Sequence, residues 1–527
     1  MAPNYAISLM IVVLFTSLFS LFMHVEGYGP SKLLSYWCNQ TPYPKQCEYY
    51  LSHNQKPPNI KRKSDFLKMM MQSAIENAGK AHKNVNSLGH NCKNEKEKAA
   101  WKDCLDVYEL SIQGLNNTMT TSSCTKDDTQ TWLSSALTLM QTCQNGFREL
   151  GVTENIMPML SNDNNVSCLI SNALAINGDG SNGRRLEGQD WAGTKGGFPR
   201  WVRPSDRKLL QSVPSSGRAD LVVAQDGSGD YKTIGQAISD ASRKGGSGRF
   251  VIYIKAGIYK ENVEIEDKLK NIMLLGDGIG RTIITGSKSV GGGSTTFRSA
   301  TVAVMGSGFM AQGITFRNTA GPSNHQAVAL RSNSDLSVFY KCSFEGYQDT
   351  LYVFSNRQFY RECDIYGTVD FIFGNAAAVI QNCNIYARFG PSRTVAITAQ
   401  GRSDPNENTG ISIHNSRVSA SEDLKGSKTY LGRPWKKYSR TVFMKTYLSG
   451  IVDPKGWLEW NGDFALSTLY YGEYANTGPG SSTSNRVKWS GYHVITSSAE
   501  AGKFNVGNFI AGNNWLPSTG VPFKSDL

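Results

Sequence analysis

With 527 residues the chain is too long for one ordinary hydrophobic core, so two or more domains are expected. Its formal charge of +12 is spread along the sequence rather than gathered into one arm. No RNP, zinc-finger or basic-zipper pattern accompanies that charge, which argues against nucleic acid and points to another acidic polymer as partner.

The chain opens on an apolar run from Ala6 to Met23, ending near His24–Gly27. It reads as a signal peptide over residues 1–27, with a signal anchor as the rival, because the run is at the short end for crossing a bilayer. Both readings send the remainder into the secretory pathway, and sequons at Asn39, Asn116 and Asn165 agree. Ten cysteines in that compartment are better paired than metal-bound, and no CxxC occurs.

Residues 28–180 predict helices. Trp101, Cys104, Leu105, Tyr108, Ile112 and Leu115 recur at intervals of three and four, one helix face, and Trp132 to Phe147 repeats the pattern. Cys38 and Cys47 bracket the turn-rich NQTPYPKQ, which a disulfide would staple. Cys104 and Cys143 fall on two different predicted helices, which a disulfide would tie together. The helices read as a stable bundle with no chemistry of its own. Between about 176 and 217, Gly, Ser, Asn, Arg and Pro dominate, a composition that makes an exposed linker. It holds two dibasic sites open to a processing protease, Arg184-Arg185-Leu186 and Arg207-Lys208-Leu209-Leu210.

From Leu221 onward short Val, Ile, Phe and Tyr runs alternate with Gly, Asn, Asp and Ser. Phe316, Phe344, Ile365 and Ile385 are separated by 28, 21 and 20 residues. Repeats of that length with no helix between strands predict a right-handed parallel β-helix. Cys342, Cys363 and Cys383 follow the same interval, so a Cys363–Cys383 disulfide is expected, with Cys342 left as a buried thiol.

The interval also separates Asp349 from Asp370, by 21 residues. One coil apart, the two carboxylates would lie roughly one strand spacing from each other, about 5 Å. Such a pair does not ionise twice with ease: one carboxyl is held neutral and can donate a proton beside a nucleophilic partner. Gln326 and Gln348, 22 residues apart, would place two amides near a developing oxyanion. Downstream, Arg433 offers a bidentate clamp for a carboxylate, of the substrate or of Asp370, and Trp435 a face for a sugar ring. No G-x-S-x-G elbow and no HExxH pair occurs, so neither a serine triad nor a metal centre is expected.

YQDTLY, GTVDFIFGNA, HQAVALR, TAQGR and LGRPW, with VVAQDGSGDY, closely resemble the motifs of plant pectin methylesterases (pectinesterases), from about Leu221 to the C-terminus. CNQTPYPKQC and SSALTLMQTC more loosely resemble the pectin methylesterase inhibitor domain that precedes many of them as a pro-region. The resemblance implies an all-α four-helix bundle at 28–180, a processing linker at 181–211 and an all-β right-handed parallel β-helix at 212–527. It implies a secreted cell-wall enzyme that removes methyl esters from homogalacturonan, needing no cofactor or metal. It further implies Asp370 as nucleophile, Asp349 as proton donor, and Gln326 and Gln348 as oxyanion stabilisers. Thr296, Gln326, Arg433 and Trp435 would bind substrate. Cys38 would pair with Cys47 and Cys104 with Cys143, and a protease would cut at Arg207-Lys208-Leu209-Leu210, because the upstream site departs from the family pattern as RRLE. Phe354 stands where relatives often carry His, and Cys92, Cys124 and Cys168 exceed the expected pro-region cysteines.

Overall fold

The computed structural model describes residues 30–53, 60–121, 124–160, 163–178, 219–244 and 248–527. The apolar N-terminal run and both dibasic sites lie outside them.

Two short helices, α1 (Pro30–Cys38) and α2 (Pro44–Ser52), are stapled by the Cys38–Cys47 disulfide. Four longer ones follow: α3 (Lys63–Ser87), α4 (Glu95–Thr120), α5 (Lys126–Glu149) and α6 (Asp163–Gly178). Phe66, Met70, Val107, Tyr108, Leu133, Met140, Leu169 and Ile170 meet in their common core, and Cys104–Cys143 bonds α4 to α5. The starts of α4 and α5 are set by side-chain caps. Asn94 accepts the Glu97 N–H at 2.9 Å; Thr125 and Asp128 exchange two bonds in a capping box, at 3.0 and 3.1 Å.

Helix α5 has two buried faces of different character. Leu133, Ala136, Leu137, Met140, Cys143 and Phe147 are apolar and buried. Thr131, Ser134, Ser135, Thr138 and Thr142 recur at helical spacing as a second, small polar stripe, also buried. That stripe lies on the β domain and hydrogen-bonds to it. Asn408 donates to Thr131 at 2.9 Å, Ser135 meets Ser355 at 3.0 Å, and Asn375 donates to Thr138 at 2.8 Å.

Beyond residue 219 the strands stack into three sheets of 11, 7 and 8 strands, all paired in parallel among the described residues. Each central coil contributes one strand to each sheet, the architecture of a parallel β-helix, and the end coils add strands to the 11-stranded sheet alone. Phe316, Phe344, Ile365 and Ile385 are direct register partners, so the spacing seen in the sequence is the coil. Phe309, Phe339, Phe344 and Tyr360 fill the interior, with Phe339 and Tyr360 stacked at 4.8 Å. The corner between the first and third sheets is made by a single left-handed residue in six successive coils: Lys341, Glu362, Asn382, Asn415, Lys445 and Ala475, all with φ between 49° and 56°. The 28-residue interval from Phe316 to Phe344 comes instead from the longer connection between the strands Thr315–Asn318 and Leu330–Ser332. Helix α7 (Ile234–Lys244) closes one end through Ile234, Ala237 and Ile238.

Cys342, Cys363 and Cys383 follow those corners and are all free thiols, which corrects the expected Cys363–Cys383 disulfide. Side chains stacked on a parallel ladder run parallel at the strand spacing of about 4.8 Å, wider than the ~3.8 Å between Cβ atoms that a disulfide needs. Instead the Cys363 N–H donates to the Cys383 sulfur at 3.3 Å, and the Cys363 thiol donates to the Phe339 carbonyl at 3.4 Å.

Candidate active site

The seven-stranded sheet presents two sets of side chains. Val302, Leu330, Leu351 and Ile372 face the interior. The alternate positions Ala303, Arg331, Tyr352, Phe373 and Ala399 form a ladder on the outer face, one per coil. Tyr352 and Phe373 stack at 4.1 Å, and Trp435 stands edge-on to both, at 6.4 and 6.0 Å. Trp435 approaches because position 401 is glycine: a Cβ there would lie 2.8 Å from its ring.

Asp349 and Asp370 sit at equivalent points of successive coils, each two residues before its strand of this sheet. Both hold the left-handed backbone, with φ of 61° and 53°, and the Asp349 N–H donates to the Val369 carbonyl at 3.1 Å. Strain of this kind at two chemically equivalent positions marks a site where side-chain direction matters. They are 7% and 5% exposed.

Arg433, just past the strand Lys428–Gly432, makes the two aspartates unequal. Its Nε and Nη2 donate to the two oxygens of Asp370, each at 2.7 Å. Its guanidinium lies 4.4 Å from the centre of the Trp460 ring. Burial pushes the carboxyl of Asp370 upward, and the Arg433 bonds oppose that. Asp349 has no such clamp among the described residues. Burial, then the neighbouring Asp370, then Glu149 hold its carboxyl well above the usual range, so the shared proton belongs on Asp349. The side chains of Gln326 and Gln348 are half-buried, and no protein hydrogen bond engages their amides among the described residues.

Helix α5 runs over this groove. Phe297, Val328, Tyr352, Phe354 and Phe373 of the β domain share one apolar cluster with the bundle. At the helix end the Thr296 N–H donates to Glu149 at 3.0 Å. Burial raises the Glu149 carboxyl, and its charge acts on both Asp349 and Tyr352. Trp132 donates to Asp335 at 3.1 Å, while Arg357 joins Asp128 at 2.8 Å. Phe354, the departure noted in the sequence, is fully buried beneath this contact, 5.4 Å from Phe297.

Of the residues expected from the sequence, Asp370 and Arg433 are bonded directly, Trp435 stands against Tyr352 and Phe373, and Thr296 meets Glu149, whose charge acts on Asp349; Gln348 precedes Asp349, and the Ala327 N–H next to Gln326 donates to the Gln348 carbonyl. Tyr352 and Phe373, against Trp435, and Trp460, against Arg433, are absent from the sequence reading. The first two carry a signal, being one coil apart and two residues past the lines Asp349–Thr350 and Asp370–Phe371; Trp460 carries none. Asn39 and Asn116 are exposed and Asn165 half-buried, each on or beside a helix of the bundle.

Comparison with known proteins agrees with this architecture. The pectinesterase family profile matches residues 220–513, and that of the plant invertase/pectin methylesterase inhibitor matches residues 32–176. The chain is 61% identical over 515 residues to Pectinesterase 2 of Citrus sinensis, covering 97% of this chain and 98% of that one. It is 60% identical over 508 residues to the Probable pectinesterase/pectinesterase inhibitor 17 of Arabidopsis thaliana, covering 95% and 96%. Among solved structures, pectin methylesterase from carrot is 57% identical with a TM-score of 0.58, covering 60% of this chain and 100% of that chain. The pectin methylesterase from Aspergillus niger is 32% identical with a TM-score of 0.50, covering 58% and 97%.

The β-helix with its carboxylate groove is thus the framework of a carboxylic ester hydrolase. The chain belongs to the pectinesterase family and carries an inhibitor-type helical domain before the esterase domain.

Proposed function

We propose that the chain hydrolyses the C6 methyl esters of homogalacturonan to pectate and methanol, using Asp370 as nucleophile. The observation that carries this reading is the asymmetry of the buried pair: Arg433 engages both oxygens of Asp370 and leaves Asp349 to hold the proton. An Asp370 oxygen attacks the ester carbonyl carbon, and the resulting oxyanion takes hydrogen bonds from the unengaged amides of Gln326 and Gln348. The C–O bond to methoxide breaks as Asp349 passes its proton to the departing oxygen. Water then attacks the acyl-enzyme and returns a proton to Asp349, releasing the free uronate and the Asp370 carboxylate. Carboxylates, amides and water supply every step. Tyr352, Phe373 and Trp435 offer apolar faces for the sugar rings.

The helical domain is read as autoinhibitory, since α5 lies along the groove and Glu149 reaches Thr296 beside Asp349. A protease acting at 207–210 would free the β-helix, and secretion to the cell wall accords with the sequons and the N-terminal run. Two measurements test this. Asp370→Asn is expected to abolish methanol release from methylated pectin with thermal unfolding little changed; normal turnover refutes the nucleophile assignment. Methanol release is expected to rise on cleavage of the linker, and equal activity before and after refutes masking.

A further inference from the structure

Thr296 and Arg298 lie on one short segment ahead of the strand Val302–Val304, at the margin of the groove. The backbone there is held in place: the Arg298 N–H donates to the Thr295 carbonyl at 3.1 Å, and that of Ser299 does so at 2.9 Å. The ionic partners of Arg298 are Asp103, at 2.7 Å, and Asp106, both on α4 of the helical bundle. Other ion-paired arginines of the β-helix have a carboxylate of their own domain. Arg317 has Glu345, Arg357 has Asp335, Arg433 has Asp370 and Arg486 has Glu473. Arg298 has none in an ion pair among the described residues, Glu264 acting on it only through space. Its side chain is 30% exposed even with the bundle in place. Once the bundle leaves, this guanidinium keeps none of its ion pairs among the described residues.

The bundle also shows what fits there. Asp103, Asp106 and Glu149 set three carboxylates along Thr296–Arg298, and the charge of Glu149 acts on both Asp103 and Asp349. A polyuronate offers the same pattern, one carboxyl group per sugar. A free uronate can pair with a guanidinium in a charge-assisted fork, whereas a methyl ester is neutral and cannot.

Resting on the pectin reading above, we infer that Arg298 is a specificity-determining residue that receives a free uronate carboxylate flanking the ester under attack, a place that Asp103 and Asp106 hold in the intact chain. The groove then favours esters beside sugars already demethylated over esters in a fully methylated run.

The test uses the β-helix freed from the bundle. The carrot chain is matched over 100% of its length by 60% of this one, about the size of the β-helical region, so that unit of the family stands without a bundle. Arg298→Gln and Arg298→Lys are compared with the parent on partly demethylated and on fully methylated pectin. Arg298→Gln is expected to lower kcat/KM about tenfold more on the partly demethylated polymer than on the fully methylated one, the loss of one charge-assisted contact. Arg298→Lys is expected to recover part of that difference. Inhibition of the parent by unesterified oligogalacturonate should weaken by a similar factor in Arg298→Gln. Equal losses on both polymers, or unchanged inhibition with unchanged thermal unfolding, overturn the assignment. A parent that releases no methanol from either polymer overturns the pectin reading instead.

Discussion

Asp349 and Asp370 occupy the same place in successive coils, and the guanidinium of Arg433 bonds to Asp370 alone. Removing that cation takes away what opposes burial, so the Asp370 carboxyl rises further and the nucleophile is protonated over a wider acid range. In the freed β-helix, Arg433→Gln should therefore lower kcat/KM by about a hundredfold and shift the acid limb of the pH–rate profile to higher pH. An unmoved acid limb would separate Arg433 from Asp370 ionisation. The cysteines give a second residue-scale outcome. Six of them are free thiols, so alkylation of the denatured, unreduced chain should add six labels to the mass. Four labels, with peptide mapping showing Cys363 and Cys383 unlabelled, would restore a disulfide to the β-helix ladder. Spacing placed Cys363 and Cys383 correctly in adjacent coils but could not reveal that stacked Cβ atoms on a parallel ladder stand too far apart to bond.

At the scale of elements, coil length was legible because interior positions repeat: Phe316, Phe344, Ile365 and Ile385 align in sequence and in register alike. Helix α5 was legible only in part. Its apolar face announced a bundle helix, whereas the buried stripe Thr131, Ser134, Ser135, Thr138 and Thr142 carries no apolar signal. Small hydroxyl residues satisfy either water or a buried polar partner, and a helix pattern alone does not say which is present. Ser135 meets Ser355 at 3.0 Å with both side chains buried, which leaves no room for a larger group. Ser135→Leu should strain the docked arrangement by roughly 1–3 kcal/mol while sparing the bundle core. Methanol release by the uncut chain should then rise by about tenfold or more, since each 1.4 kcal/mol is a factor of ten. An uncut variant no more active than its parent would show that this contact does not hold α5 in place.

Across the whole molecule, docking of the bundle collects protons. Burial drives the fully buried Asp103 carboxyl to about 7, outweighing the attraction of Arg298, and burial also raises Glu149 and Asp349. Asp103 and Glu149, both desolvated by burial in the docked state, sit above the ordinary carboxylate range there, so the docked state holds more protons than the same carboxyls would in water. Docking strength is fully present below the ordinary carboxylate range near pH 4 and is lost progressively as pH rises toward about 7. After cleavage of the linker, the two parts should co-elute on size exclusion at pH 5 and separate at pH 8. Tighter association at pH 8 would reverse the sign and refute the account.

By itself the sequence determined the coil, the carboxylate pair, the arginine clamp and the division into helical and β regions. All of these are written as period or as residue type at fixed spacing, and a solenoid turns spacing into contact. The tertiary structure alone decided that Arg433 engages Asp370 rather than standing open for a substrate carboxylate, that the cysteine ladder stays reduced, and that Asp103, Asp106 and Glu149 of the bundle lie on Arg298 and Thr296. Those depend on how one rigid body seats on another and on distances of a few tenths of an ångström between stacked atoms, and neither quantity has a period along the chain.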